Sequence, residues 1–217
     1  MMLRGTTIST GETAISKSND NPGKLNIWYQ RIKRLMDLLI SLSGLILFIP
    51  VLLCIAVVVW RDSPGPVLFR QMRVGRDGKP FTLLKFRTMQ WGTRDMPTDQ
   101  MMMQAASPIT RSGKVLRRAS LDELPQLINV VKGEMSLVGP RPTLPSQDFV
   151  NRSRRESGVE ALLPGITGWA QVCGRDDLSD AEKVKHDAFY RVNQSLVLDV
   201  VILARTVAAV FSGRGTR

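Results

Sequence analysis

Residues 38–60, LLISLSGLILFIPVLLCIAVVVW, carry no charge. About 20 consecutive apolar residues suffice for a helix to cross a bilayer. The run is long enough, so the chain reads as a membrane protein first. Pro50 stands in its middle, where it removes a backbone donor and interrupts the helical ladder. Cations flank both ends: Arg31, Lys33 and Arg34 before, and Arg61, Arg70, Arg73 and Arg76 after. The positive-inside rule therefore selects no orientation for a simple span. It is met at both ends if the segment dips in, bends at Pro50 and returns to the same face. From the residues alone, that hairpin and a kinked span remain equally open. Asp37, at the start of the run, falls at the headgroup level.

Working outward, the stretch before the run is rich in Ser, Thr, Gly and Asn, and residues 1–24 read as a mobile tail. After the run, Ser63-Pro64-Gly65-Pro66 is a rigid turn leaving the membrane. Two strands follow, joined through Asp77-Gly78, a strong hairpin signal. The hairpin carries Arg70, Arg73, Arg76, Lys79, Lys85 and Arg87. They form either a solvated positive face or a surface for lipid headgroups or a diphosphate. Residues 91–107 are polar and aperiodic and read as a loop, with Met101, Met102 and Met103 filling gaps or touching the membrane.

Composition supports an anionic partner. The chain has 217 residues, with 30 Lys+Arg against 19 Asp+Glu and a net charge of +11. Such an excess suits nucleic acid, anionic headgroups or phosphorylated substrates. Two cysteines, one of them inside the apolar run, give no disulfide framework. His186 is the single histidine, which leaves almost no material for a histidine-based metal site.

Residues 119–133, ASLDELPQLINVVKG, are the chemical centre. Ser120 and Glu123 have capping-box spacing. Leu124, Leu127, Ile128 and Val131 then recur at helical spacing. Gly133 is a C-terminal stop, and Pro125 blurs the start, with Asp122 and Glu123 in the first turn. Lys114, Arg117 and Arg118 precede them within a short helix over residues 110–118. Adjacent carboxylates, a helix N-terminus and guanidinium groups together suit phosphoryl chemistry. Read alone, the two carboxylates could equally cap a helix and pair with the arginines. Further on, Gly139-Pro140-Arg141-Pro142 is a stiff turn that aims one arginine. Residues 163–172 read as a glycine-punctuated loop entering a strand, and Gly174-Arg175-Asp176 offers another cation. Helices are expected over residues 151–160 and 180–193. The apolar stretch over 196–211, interrupted by Asp199 and Arg205, reads as an interfacial or domain-packed helix.

KFRTM at 85–89, LRRASLDELPQLINVVKGEMSLVGPRP at 116–142 and PGITGWAQVCGR at 164–175 resemble the bacterial monotopic polyprenyl-phosphate phosphoglycosyl transferases, from about residue 33 to residue 210. The similarity is to the minimal catalytic form, without the extra N-terminal membrane helices of larger members. It implies an α+β fold, mainly helical with a small β-hairpin, a re-entrant membrane helix broken at Pro50, and interfacial amphipathic helices. The implied domains are a disordered tail at 1–24, a membrane-embedded re-entrant hairpin at 25–62 and a cytoplasmic catalytic domain at 63–217. The family's break is often Ser-Pro, whereas here Ile49 precedes Pro50.

The resemblance also implies a reaction. A UDP-sugar donates its sugar 1-phosphate to undecaprenyl or another polyprenyl phosphate, and UMP leaves. The route is ping-pong, with a covalent phosphosugar on Asp122, Glu123 as its partner and a magnesium ion at both. Arg117 matches a phosphate ligand and Arg141 a nucleotide contact. Lys85, Arg87 and Arg175 complete the expected phosphate-binding set. The expected partners are the UDP-sugar, the polyprenyl phosphate and membrane lipids, with a second copy of the chain as a candidate. The expected location is the cytoplasmic face of a bacterial inner membrane. Two other readings compete. A nucleic-acid-binding protein explains the charge but leaves the apolar run without purpose. An inactive membrane scaffold of the same fold leaves the dyad and its arginines without one.

Overall fold

The computed structural model describes residues 27–93, 108–174 and 177–212. The expected tail at 1–24, the three methionines at 101–103 and Arg175 lie outside the described residues. The fold is mainly helical with a small antiparallel hairpin, as the resemblance implied. Helix α1 (Ile27–Asp62) contains the whole apolar run, with Pro50 inside it. Among the described residues it is the one helix long and apolar enough to cross a membrane.

Both ends of α1 are fastened to the rest of the molecule, and its middle is not. At the N-terminal end Arg34 donates to the carbonyls of Val130 and Val131, at 2.6 and 3.0 Å. Asp37 accepts from the hydroxyl of Ser136 at 2.7 Å and from the Leu137 amide at 3.1 Å. It is buried inside the protein, not set among headgroups as expected. At the C-terminal end Ile55 and Val59 join Phe86 and Leu116 in one core cluster. Between these contacts residues 46–51 are exposed. An apolar stretch left uncovered by protein needs another apolar phase.

Strands β1 (Leu68–Val74) and β2 (Pro80–Phe86) pair antiparallel from Leu68↔Phe86 to Val74↔Pro80. The turn between them puts Asp77 and Gly78 at φ 55° and 72°, the left-handed region that Asp and Gly tolerate best. Two segments at the sheet's ends are tied to distant loops: Val74 N–H donates to Thr143 O, and Thr110 N–H to Thr88 O.

The helices that follow carry the chemical centre. Helix α2 (Arg111–Arg118) starts at Thr110, whose side chain accepts from the Gly113 amide. Ser120 does not open the next helix as its spacing suggested. Its amide bonds to Arg117 O, and its φ is 54°. Ser120 therefore closes α2 in a left-handed conformation and makes no side-chain cap. A 3-10 turn (Leu121–Glu123) follows, and α3 (Gln126–Lys132) begins only after Pro125. Asp122 and Glu123 thus sit in a separate turn ahead of α3. Gly133 ends α3 at φ 85°, as read. The most buried residues of α3 are Gln126, Asn129 and Val130, not the four apolar positions of the periodicity. Helix α3 lies between α1 and β2, so both of its sides meet protein.

A second sheet was not foreseen. Strands β3 (Ser136–Val138) and β4 (Gly165–Thr167) are parallel and three residues each, too short to show a period. The segment after β4 is helix α5 (Trp169–Cys173), not a strand. Before β4, α4 (Asp148–Glu156) covers part of the charged stretch. Helix α6 (Asp180–Val192) opens with a capping box, Ser179 and Glu182 bonding reciprocally. Helix α7 (Leu196–Ser212) follows. Leu137, Val138, Leu162, Tyr190 and Ile202 form the core cluster that joins β3, α6 and α7.

Candidate active site

Three elements converge at the dyad. The 3-10 turn supplies Asp122 and Glu123, β2 supplies Lys85, and the turn after β3 supplies Arg141. Lys85 Nζ lies 2.9 Å from Glu123 Oε1, and Arg141 Nη2 lies 3.5 Å from the same oxygen. Asp122 is buried and feels Lys85, Arg117 and Arg141 as favourable charges. Among the described residues, the salt bridges at the dyad fall on Glu123 and not on Asp122.

Burial is the main cause that pushes the Asp122 carboxyl above the usual range, and the neighbouring cations only partly offset it. Burial likewise pushes the Lys85 ammonium down, with Glu123 holding it back. The two opposite groups are thus desolvated together. A carboxylate kept from water has lost the hydration that blunts it as a nucleophile.

Lys85 is placed by α3. Asn129, fully buried, uses its carboxamide as a surrogate strand on the free edge of β2. Its Oδ1 accepts from Leu84 N–H at 3.1 Å, and its Nδ2 donates to Thr82 O at 2.8 Å and to Glu134 at 2.6 Å. That clamp sets the height of β2 against the segment carrying Glu123.

Arg141 is placed by its backbone. Gly139 N–H donates to Thr167 O, and Gly165 N–H to Pro140 O, each at 2.8 Å. Arg73 donates to Pro142 O at 3.1 Å, and Arg154 to Arg141 O at 2.8 Å. A Cβ on Gly165 would lie 2.1 Å from Gly139 N, and one on Gly168 2.1 Å from Gly139 O. The glycines of the two motifs let the β3 and β4 loops touch backbone to backbone.

The structure thus gathers Lys85, Arg117, Asp122, Glu123 and Arg141. Arg87 goes elsewhere: its guanidinium is buried against the carbonyls of Ser63 and Pro64, at 2.6 and 3.0 Å. It fastens the turn at the end of α1 instead of pointing a cation at the dyad. Sequence reading missed Arg154, which sits in a run of like residues with nothing to single it out. It also missed Asn129, a lone amide among Ile128, Val130 and Val131, where the buried setting was a usable signal.

No group of three or more His, Cys, Asp or Glu suited to a metal occurs among the described residues. Two adjacent carboxylates still fit a hard divalent cation of the magnesium type. Such ions are held through one or two carboxylates, with substrate phosphates and waters filling the octahedron.

Residues 28–213 match the family described as bacterial sugar transferase. The chain is 41% identical over 196 residues to a UDP-N-acetylgalactosamine-undecaprenyl-phosphate N-acetylgalactosaminephosphotransferase of Aeromonas hydrophila, covering 87% of this chain and 46% of that one. It is 43% identical over 186 residues to the UDP-glucose:undecaprenyl-phosphate glucose-1-phosphate transferase of Escherichia coli, covering 81% and 39%. It thus spans less than half of those two relatives. Against the uncharacterized sugar transferase EpsL of Bacillus subtilis it is 40% identical over 185 residues, covering 85% of this chain and 89% of the relative.

Proposed function

Since the chain belongs to the bacterial sugar transferase family, we propose that it transfers a sugar 1-phosphate from a UDP-sugar to undecaprenyl phosphate at a membrane surface. The observation that carries this reading is buried Asp122 with half-buried Glu123 beside it, among Lys85, Arg117 and Arg141. The product is the first lipid-linked sugar of a glycoconjugate such as an exopolysaccharide.

The chemistry proceeds in two displacements. A carboxylate oxygen of Asp122 attacks the phosphorus that bears the sugar. The bond to the bridging oxygen breaks, and UMP leaves with that electron pair. In the second half, a phosphate oxygen of undecaprenyl phosphate attacks the same phosphorus and expels the Asp122 carboxylate. Covalent catalysis suits a soluble donor and a membrane-bound acceptor, since the two need never meet. Arg117, Lys85 and Arg141 lower the cost of bringing a carboxylate to a diphosphate. A magnesium ion held by Asp122 and Glu123 would add charge neutralisation at the phosphates.

The membrane segment is read as re-entrant. Arg34 and Asp37 at one end of α1, and Ile55 and Val59 at the other, are bonded to or packed with one domain. A domain whose polar surface stays in water holds both ends only if both lie on one side of the bilayer. Trp28 and Trp60 are exposed near the two ends of α1, as interfacial aromatics are. That side is the cytoplasmic face of the inner membrane, where nucleotide sugars are found.

The test is to incubate the purified protein with magnesium, undecaprenyl phosphate and a panel of UDP-sugars, and to follow UMP. Release that requires the lipid phosphate for multiple turnovers supports the proposal. No release with any UDP-sugar would remove it and leave an inactive scaffold.

A further inference from the structure

Helix α2 has two unlike sides. Gly113 and Leu116 are buried, and Ser112 and Arg117 are half-buried. Arg111, Lys114, Val115 and Arg118 are exposed, and their i, i+3, i+4, i+7 spacing puts them on one stripe. No salt bridge among the described residues involves its three cations.

The helix cannot turn this stripe elsewhere. Ser112 is held by the Asp62 carboxylate through its amide at 2.9 Å and its hydroxyl at 2.7 Å. A Cβ on Gly113 would lie 2.1 Å from Thr88 O, so the helix is pressed onto the segment after β2. Leu116 shares a cluster with Ile55 and Val59, one to two turns back from Asp62. Helix α2 therefore runs antiparallel to the last turns of α1, beside the apolar run. Exposed Trp60 and Trp91 lie at the same end: Trp91 touches Gly65 in the exit turn.

We propose that the Arg111–Lys114–Arg118 stripe is a docking surface for anionic phospholipid headgroups, distinct from the substrate cations Arg117 and Arg141. The occupant is chosen by charge complementarity and by continuity with the membrane segment. The proposal rests on the membrane seating of α1 argued above. Val115, apolar and exposed at the centre of the stripe, would rest against the glycerol level. Each cation near an anionic leaflet favours membrane association by roughly fivefold, and three together by on the order of 100-fold. The attraction falls off within about 8 Å at physiological salt, so only residues held at headgroup depth benefit.

The test uses the full chain with Cys54→Ser and Cys173→Ser and a Val115→Cys label that reports polarity. The protein is placed in nanodiscs of phosphatidylcholine alone, or of equal parts phosphatidylcholine and phosphatidylglycerol. In the anionic disc the label should shift to the blue and be quenched by headgroup-quencher lipid, and salt should reverse both. The triple variant R111Q/K114Q/R118Q should lose that difference, yet stay on the disc and still release UMP from the donor. Equal label signals in both discs, or an unchanged signal in the triple variant, would overturn the docking surface. Failure to stay on either disc would overturn the membrane reading itself, and the docking surface with it.

Discussion

Arg154 donates to the main-chain carbonyl of Arg141 at 2.8 Å while its other nitrogens hold Asp187, one at 2.6 Å. One buried ion pair thus supports the turn that aims an arginine at the dyad. Arg154→Met leaves Asp187 buried without its partner, a change that costs about 3–5 kcal/mol in such pairs. It should lower Tm by on the order of 10 °C and also reduce donor kcat/KM. Adding Asp187→Leu should recover most of the stability but not the kinetics. A double variant with wild-type kcat/KM would show that Arg154 only stabilises the fold.

Arg141 itself is half exposed and stands 3.5 Å from Glu123, beside the dyad that a ligand would approach. Loss of one charge-assisted contact is worth about 1.5–3 kcal/mol. Arg141→Ala should therefore cut donor kcat/KM by roughly tenfold to several-hundredfold, with membrane association unchanged. Unaltered donor kinetics would remove Arg141 from the site.

Asn129 offers a test of how Lys85 is placed beside Glu123. Asn129→Leu keeps the volume but strands Leu84 N–H and Thr82 O, at about 1–3 kcal/mol for each unsatisfied group. Lys85 should then lose its fixed distance to Glu123, and kcat should fall more than Tm alone would explain. A variant that melts early but turns over normally at low temperature would confine Asn129 to stability.

The sequence reading went furthest where a pattern was long or chemically loud. The uncharged run, the Asp77-Gly78 turn and the pairing of Asp122 with Glu123 were all legible. Arg117, Lys85 and Arg141 do gather there. The reading failed where a local signal was outcompeted. Ser120 has the spacing of a cap, yet the end of α2 claims it first and sets its φ to 54°. Arg87 stands two residues beyond Lys85, just past the end of β2, and its guanidinium is claimed by the carbonyls of Ser63 and Pro64 on the exit turn of α1. The β3–β4 pair depends on Gly139 meeting Gly165 and Gly168 backbone to backbone across a long stretch of sequence, and no local pattern encodes that.

The topology of α1 can be tested directly. Single cysteines at Ile27 and Asp77, in a background without Cys54 and Cys173, should both be shielded from an impermeant maleimide in intact cells and both react after lysis. Pro50→Leu restores the helical ladder, so it should push part of the population to a span with position 27 outside. Labelling of position 27 in the parent protein from outside would end the re-entrant reading.

If Asp122 is the nucleophile, it can be trapped with the sugar phosphate attached. The protein is incubated with magnesium and radiolabelled UDP-sugar without the lipid acceptor, quenched fast, and the modified peptide mapped by mass spectrometry. Consecutive residues of a 3-10 turn point about 120° apart, so the two carboxylates cannot present equally to one phosphorus. The expected result is a phosphosugar adduct on Asp122, none in Asp122→Asn, and a reduced but detectable one in Glu123→Gln. An adduct on Glu123, or a robust adduct in Asp122→Asn, would contradict it.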